Sequence, residues 1–211
     1  MTVTDVFIHP YPEGDSTLQR MARAARDAGY DTIVAIDHPE CEYYSVSILN
    51  GTIVTEGTPK AVHAAVRKKG RGIIGVDAGE NSFNRSVIQI PGVHLLTGLH
   101  RTQKNSFDHV TARFAAVRKV GVHLDIGQII TCRGHARQKV LARYHELLVL
   151  QRKFGFVFAI GSGARSILDQ RTVREMITLT SLFGMTQEET LLALRGVFDL
   201  FEHSSFPRVV Q

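Results

Sequence analysis

Histidines and aspartates recur along this chain where short apolar runs give way to polar turns. His9 closes the run DVFIH, Asp37 and His38 follow DTIVAI, Asp77 ends GIIGVD, and Asp125 lies in GVHLDI. Carboxylates and imidazoles gathered at strand ends could hold divalent ions and activate water on a phosphate ester. The spacing supplies that chemistry only in part. A start of the form Asp-x-His-x-His would set two histidines on one strand face, whereas DVFIH offers His9 alone and puts Phe7 in the other place. Asp37 and His38 are adjacent, so on a regular strand their side chains leave on opposite faces. His63, His94, His109, His123, His135 and His145 show no recurring ligand spacing.

A second chemistry is phosphate binding without catalysis. The net charge of +5 and the pI near 9.4 favour polyanionic partners. The excess is local: residues 1–80 carry a net −3, residues 81–153 a net +9 and residues 154–211 a net −1. Arg85, Arg101, Lys104, Arg113, Arg118, Lys119, Arg133, Arg137, Lys139, Arg143, Arg152 and Lys153 make up that middle third. The turn GSGARS at 161–166 brackets Ser162 with glycines and suits backbone N–H groups aimed at an anion, with Gly163 in its bend, Arg165 beside it and Arg171 shortly after. Cations on phosphates, N–H groups in tight turns and stacking on unpaired bases are how folded RNA is held. Two readings therefore stand: a metal-dependent phosphoesterase, and an RNA-binding protein with no chemistry of its own.

Either one needs elements that bring scattered residues together. Apolar residues at 44% and charged residues at 21% of the 211 describe a folded globular chain. The two cysteines, Cys41 and Cys132, form no CxxC pair, which fits a reducing cytoplasm. The opening MTVTDVFIHP lacks the basic region and apolar run of a signal peptide, and no membrane-length apolar stretch occurs. Short apolar runs alternate with helical periodicity, the signature of βα units on a parallel sheet. Strands are expected at 5–9, 31–37, 45–57, 72–77, 93–97, 121–126 and 156–160. Helices are expected from a Ser16 cap to Gly29, and over 58–69, 81–89, 107–119, 136–153 and 172–183, with a last one opened by Thr186 and Glu189 in a capping-box pattern. Asn50-Gly51 is a strong hairpin signal, so 45–57 reads either as one strand or as a hairpin. In 136–153 the stripe Val140, Tyr144, Leu147 and Leu148 lies opposite Arg137, Lys139 and Arg143. Repeated right-handed crossovers leave an open doubly wound sheet or a closed barrel. The barrel is the expected architecture, because it turns strand ends that are distant in sequence into one rim. A single α/β domain over 1–211 is expected: a TIM-like barrel of about seven βα units, whose closure without an eighth strand stays open.

Several segments also resemble one family. FNRSVIQIPGVHLLT (83–97), FDHVTARFAAVRKVGVHLDI (107–126), FGFVFAIGSGARSILDQRTVREM (154–176) and the opening DVFIHPYPEG are similar, in order, to the barrel-folded protein subunit of ribonuclease P, archaeal component 3 and its thirty-kilodalton eukaryotic homologues. The resemblance implies a PHP-type barrel that has lost most metal ligands and a non-catalytic role in tRNA 5′-leader removal. The holoenzyme's RNA would carry the hydrolysis with magnesium, and this chain would bind no cofactor. It also implies RNase P RNA, precursor tRNA, a small ferredoxin-like protein subunit and other RNase P proteins as partners, with no membrane. By motif it carries RNA contacts onto Arg85, Arg165 and Arg171. Arg101, Lys104, Arg133 and Arg137 join them on charge and strand-end position. His9, Asp37, His38, Asp77 and His100 would then be relics of a metal rim. The chain departs from the family's pattern in GLHRTQKN (98–105), where His100 stands in a changed setting, and at Gly127 and Gly161.

Overall fold

A computed structural model describes residues 2–69, 72–198 and 200, so the last eleven residues of the expected domain lie outside the described ones. Seven parallel strands form its centre: β1 (Thr4–Ile8), β2 (Thr32–Ile36), β4 (Val46–Val54), β5 (Ile73–Asp77), β6 (Leu95–Thr97), β7 (Gly121–Asp125) and β8 (Phe158–Gly161), hydrogen-bonded in that order. A short strand, β3 (Cys41–Tyr43), pairs antiparallel with the start of β4. The outer layer is α1 (Leu18–Ala28), α2 (Pro59–Lys69), α3 (Asn81–Ile88), α4 (His109–Arg118), α5 (Gly127–Thr131), α6 (Gly134–Phe154), α7 (Val173–Ser181) and α8 (Gln187–Ala193). Helices follow every parallel strand except β2, where the β3–β4 hairpin intervenes, and the sheet curls until β1 and β8 face one another without a ladder between them.

The expected strand slots and helices are present, with four corrections. The hairpin lies earlier than Asn50-Gly51: Tyr44 and Ser45, at φ 56° and 62°, reverse the chain between β3 and β4, and 46–54 is one continuous strand. Thr17 rather than Ser16 caps α1, because Ser16 is buried and used elsewhere. Arg143 is not on the solvated face of α6 but buried at 6% exposure. The 127–131 helix and the 3₁₀ turns at Leu99–Arg101 and Lys104–Ser106 fill stretches that the sequence pattern leaves as loop. The capping box at Thr186 and Glu189 is formed, and a second one joins Thr172 to Glu175.

Two apolar layers hold the barrel. Outside it, strand residues such as Ile8, Ile33, Ala35, Ile48, Ile74, Leu96 and Leu124 pack on helix stripes led by Met21, Val62, Val87, Tyr144 and Leu147. Inside it, Val34, Ile36, Ile73, Leu95 and Ala159 surround Phe7, with Val197 and Leu200 covering the base. Phe7 reaches the interior because β1 bulges between Val6 and Ile8, leaving Phe7 at φ 61°. Its ring needs space, and glycines supply it: a Cβ on Gly75 would come within 2.7 Å of the ring, and one on Gly51 within 3.2 Å.

The seam is closed by side chain instead of ladder. The buried Asp5 carboxylate accepts the Ser162 N–H and the Ser162 hydroxyl, each at 2.7 Å. His9 N–H donates to the Ala164 carbonyl at 2.8 Å and Thr4 N–H to that of Leu194 at 2.9 Å. The approach is so close that a Cβ on Gly161 would stand 1.7 Å from the Val6 carbonyl oxygen.

Candidate nucleic-acid interface

All the strand-end residues singled out above surround the carboxyl ends of the parallel strands, but His9, Asp37, Asp77 and Asp125 are engaged in separate local pairs. His9 bonds through Nδ1 to Glu13 at 2.8 Å. Asp37, at φ 53° and exposed, accepts the Thr52 hydroxyl at 2.9 Å, and His38 follows it half-buried. Asp77 pairs with the Arg101 guanidinium. Asp125 accepts from the Gln128 amide at 2.9 Å, while its backbone carbonyl takes the Tyr144 hydroxyl at 2.7 Å. Burial raises both Asp77 and Asp125 above the usual carboxylate range, opposed by Arg101 at the first and Gln128 at the second.

Two imidazoles of the rim carry no charge near neutral pH. Burial holds His123 down to about 3 and His100 down to about 4. His123 lies inside the barrel, bonded to Thr97 at 3.0 Å and edge-on to Phe7 with ring centroids 5.0 Å apart. His100 stands edge-on to Tyr144 at 6.1 Å.

This donor set does not fit a di- or trinuclear metal centre. The place a second histidine of β1 would take is filled by the Phe7 ring, and Asp77 is tied to a guanidinium. Among the described residues, no three His, Cys, Asp or Glu side chains converge as a metal-binding group.

The cations are placed differently from the acids. Of the twelve between residues 81 and 153, ten are exposed, Arg85 is half-buried and only Arg143 is buried. Arg101 borders a polar recess of 560 Å³ with Asn81, Gln103 and Asn105. Lys104, 80% exposed, reaches Glu146 at 3.0 Å. Arg133 is the exposed N-cap residue of α6, and Arg137 one turn later is fixed by the carbonyls of Cys132 at 2.9 Å and Ile130 at 3.3 Å. Arg85, by contrast, serves a helix contact, donating to Asp108 at 2.6 Å and to Thr111 at 3.4 Å.

Around β8 the turn does less than its sequence promises. The Ser162 N–H goes to Asp5, the Ala164 N–H to Ser162 Oγ at 3.2 Å, and those of Arg165 and Ser166 to Asp169 at 3.1 and 3.0 Å. These four donors are satisfied internally, so the turn is not an open anion cradle, and Ser162 is a seam residue, 3% exposed. Gly163, at φ 62°, lies against Asp125, where a Cβ would stand 2.5 Å from the carboxylate. Arg165 remains exposed, and Arg171 is half-buried with its guanidinium on the Leu168 and Gln170 carbonyls at 2.7 and 2.8 Å.

Two residues with decisive roles escape the sequence reading. Asp5 is the seam latch, and its signal is a carboxylate inside an otherwise apolar strand. Arg143 anchors the loop after β6 through the carbonyls of Leu99 at 3.3 Å and Lys104 at 3.1 Å, the Ser106 hydroxyl at 3.2 Å and Glu146 at 3.1 Å. Its position three residues after Val140 and four before Leu147 puts it within the buried stripe.

Comparison with known proteins places these features. Ribonuclease P protein component 3 of Methanococcoides burtonii is 27% identical over 199 residues, covering 90% of this chain and 83% of that one. The same-named protein of Methanothermobacter thermautotrophicus is 30% identical over 156 residues, covering 72% and 63%. Among solved structures, a chain of archaeal ribonuclease P with mature tRNA shares the fold at TM-score 0.79 and 15% identity, covering 99% of this chain and 95% of that one. A chain from the metal-dependent tyrosine phosphatases of Bacillus subtilis and Streptococcus pneumoniae shares it more distantly, at TM-score 0.54 and 13% identity, covering 92% and 94%. The family model described as RNase P subunit p30 matches residues 2–200, and the chain belongs to that family.

Proposed function

We propose that this chain is a protein subunit of ribonuclease P that binds the RNase P RNA and supports removal of 5′ leaders from precursor tRNA, without carrying the hydrolysis itself. The family match over residues 2–200 carries the proposal. The surface supports it: exposed cations spread over the loop after β6 and the start of α6, while Asp37, Asp77 and Asp125 each hold a separate local partner, with Asp125 Oδ1 buried and without a hydrogen bond. A duplex or folded RNA meets such a surface through its phosphates, releasing counterions as it binds. Arg101, Lys104, Arg133, Arg137 and Arg165 are the exposed side chains placed to do this, Arg101 and Lys104 from within ion pairs and Arg137 and Arg165 while bonded to backbone carbonyls; the half-buried Arg85 and Arg171 would have to give up part of their present bonding. His9, Asp37, Asp77 and His100 serve the rim's own structure, His38 beside Asp37 would be a relic of the rim, and magnesium would be held by the RNA, with no cofactor on this chain. The partners would be that RNA, precursor tRNA, a small ferredoxin-like subunit and further RNase P proteins in the cytoplasm. No described helix is long and apolar enough to cross a membrane.

The test is precursor-tRNA cleavage by the cognate RNase P RNA and partner proteins at moderate magnesium, with this chain added or omitted. Omission should lower processing, and the chain alone should cleave nothing. Chelator-sensitive hydrolysis of phosphate esters by the chain alone would replace the proposal with a metallohydrolase.

A further inference from the structure

Two loops meet over the barrel seam, residues 9–16 after β1 and 162–172 after β8, and they are clasped together. Buried Ser16 joins them: its carbonyl accepts the Tyr11 N–H at 2.9 Å, and its hydroxyl accepts the Ile167 N–H at 3.1 Å. The Asp15 N–H donates to the Arg165 carbonyl at 2.8 Å, and the Arg165 guanidinium donates back to the Glu13 carbonyl at 3.2 Å. Gly14 allows the closest approach, since a Cβ there would stand 2.1 Å from the His9 carbonyl oxygen and 2.2 Å from that of Arg165. The backbone beneath Tyr11 is therefore fixed from both sides.

This clasp presents an exposed aromatic ring and an exposed guanidinium to solvent. Tyr11 is 65% exposed and Leu168, next to Ile167 on the other loop, is 79% exposed. A single exposed apolar residue needs no explanation. Here two of them are carried on the same ordered clasp as Arg165, which is exposed and, among the described residues, forms no ion pair, although the clasp also carries the exposed carboxylates of Glu13, Asp15 and Asp169. A ring held out in advance loses little entropy when a ligand stacks on it, and an unneutralised guanidinium one loop away suits the phosphate that a nucleotide carries beside its base.

We propose that the clasp of residues 9–16 and 162–172 is a site for an unpaired nucleotide, whose base stacks on Tyr11 while Arg165 takes the adjoining phosphate. The inference rests on the RNA-binding proposal above and narrows it: a duplex hides its base faces in its own stack and gains nothing from Tyr11, whereas a single strand does.

Affinities of the intact chain for a fluorescein-labelled uridine oligomer and for a short RNA duplex, measured by anisotropy between about 50 and 200 mM salt, test it. Tyr11→Ala should weaken single-strand binding by about 5- to 150-fold, the range of one base–aromatic stack. Duplex affinity should change less than about twofold and the salt slope should be unaltered, because stacking releases no counterion. Tyr11→Phe should bind as the parent does, while Arg165→Ala should lower the single-strand salt slope by about 0.7. Thermal melts confirm that each variant is folded, as expected for exposed side chains. If Tyr11→Ala binds both probes like the parent, or instead disrupts assembly with protein partners, the nucleotide site is wrong while the RNA proposal stands. If the parent binds neither probe, both fall.

Discussion

Replacing Asp5 by asparagine should change how stability depends on pH in a direction that the seam geometry fixes. Burial is the largest influence on Asp5 and lifts its carboxyl from 3.8 to about 6; the two bonds from Ser162 pull the other way, and Asp125 adds a further lift. A folded pKa above the unfolded one means that the native state binds the proton more tightly, so stability is fully present below about pH 4 and declines as pH rises through about 6. A shift of this size corresponds to about 3 kcal/mol at neutral pH. The asparagine side chain keeps an oxygen to accept the Ser162 N–H and an amide to donate to its hydroxyl, but cannot ionise. Urea midpoints of parent and Asp5→Asn at constant ionic strength, from about pH 4 to 7, isolate the effect because the histidines and other acids are common to both. The two proteins should converge at the acid end, with the asparagine variant pulling ahead by up to about 3 kcal/mol at pH 7. Asp5→Ala should be less stable than Asp5→Asn at every pH by about 1–3 kcal/mol, since it leaves both Ser162 donors buried without an acceptor. A parent that gains on Asp5→Asn as pH rises would show that the Ser162 bonds outweigh burial, and the account of the seam would be wrong.

Phe7→Ala empties the centre of the barrel and should cost about 3–5 kcal/mol in denaturant unfolding; a loss under about 1 kcal/mol would mean that the ring does not fill the interior. Arg143→Met should destabilise by about 1–3 kcal/mol and speed amide exchange across residues 99–106, where its guanidinium now holds three acceptors; unchanged exchange there would remove its anchoring role. Arg133→Ala should leave the melting temperature alone and reduce the slope of log K against log salt for RNase P RNA by about 0.7–0.9, the share of one phosphate contact; an unaltered slope would take Arg133 out of the interface.

The barrel is legible in the sequence because its signals are local and repeated. A βα unit writes its strand as an apolar run and its helix as a stripe of period 3.6, and both capping boxes are set by residues three apart. What is illegible depends on contacts between distant positions. Asn50-Gly51 reads as a turn by local rule, yet Gly51 sits inside a strand because the Phe7 ring and Val34 leave no room for a Cβ, at 3.2 and 2.8 Å. Tyr44 and Ser45 make the actual turn in left-handed conformations that neither residue type advertises. Ser16 reads as a helix cap, but its hydroxyl is used by Ile167, 151 residues away. The turn at 161–166 reads as an anion cradle because nothing near it in sequence reveals that Asp5 occupies its first donor. The exposed cations are easier: lysine and arginine are mostly solvated anyway, and within the basic middle third only Arg143 is buried against that expectation.

The same two departures from a regular barrel account for both halves of the functional proposal. The bulge in β1 turns Phe7 into the space where strand-end ligands would otherwise converge, so the polar residues of the rim pair locally: Asp77 with Arg101, Asp37 with Thr52, His9 with Glu13, Asp125 with Gln128. The missing ladder between β1 and β8 brings the loops after these strands into contact, so Arg165 and Tyr11 stand out from ordered backbone instead of from loose loop tips. A barrel altered in this way has exchanged a convergent cavity for a fixed outer surface, with its positive charge concentrated in the middle third of the chain. Recognition of a large polyanion needs such a surface, and hydrolysis of a small one does not.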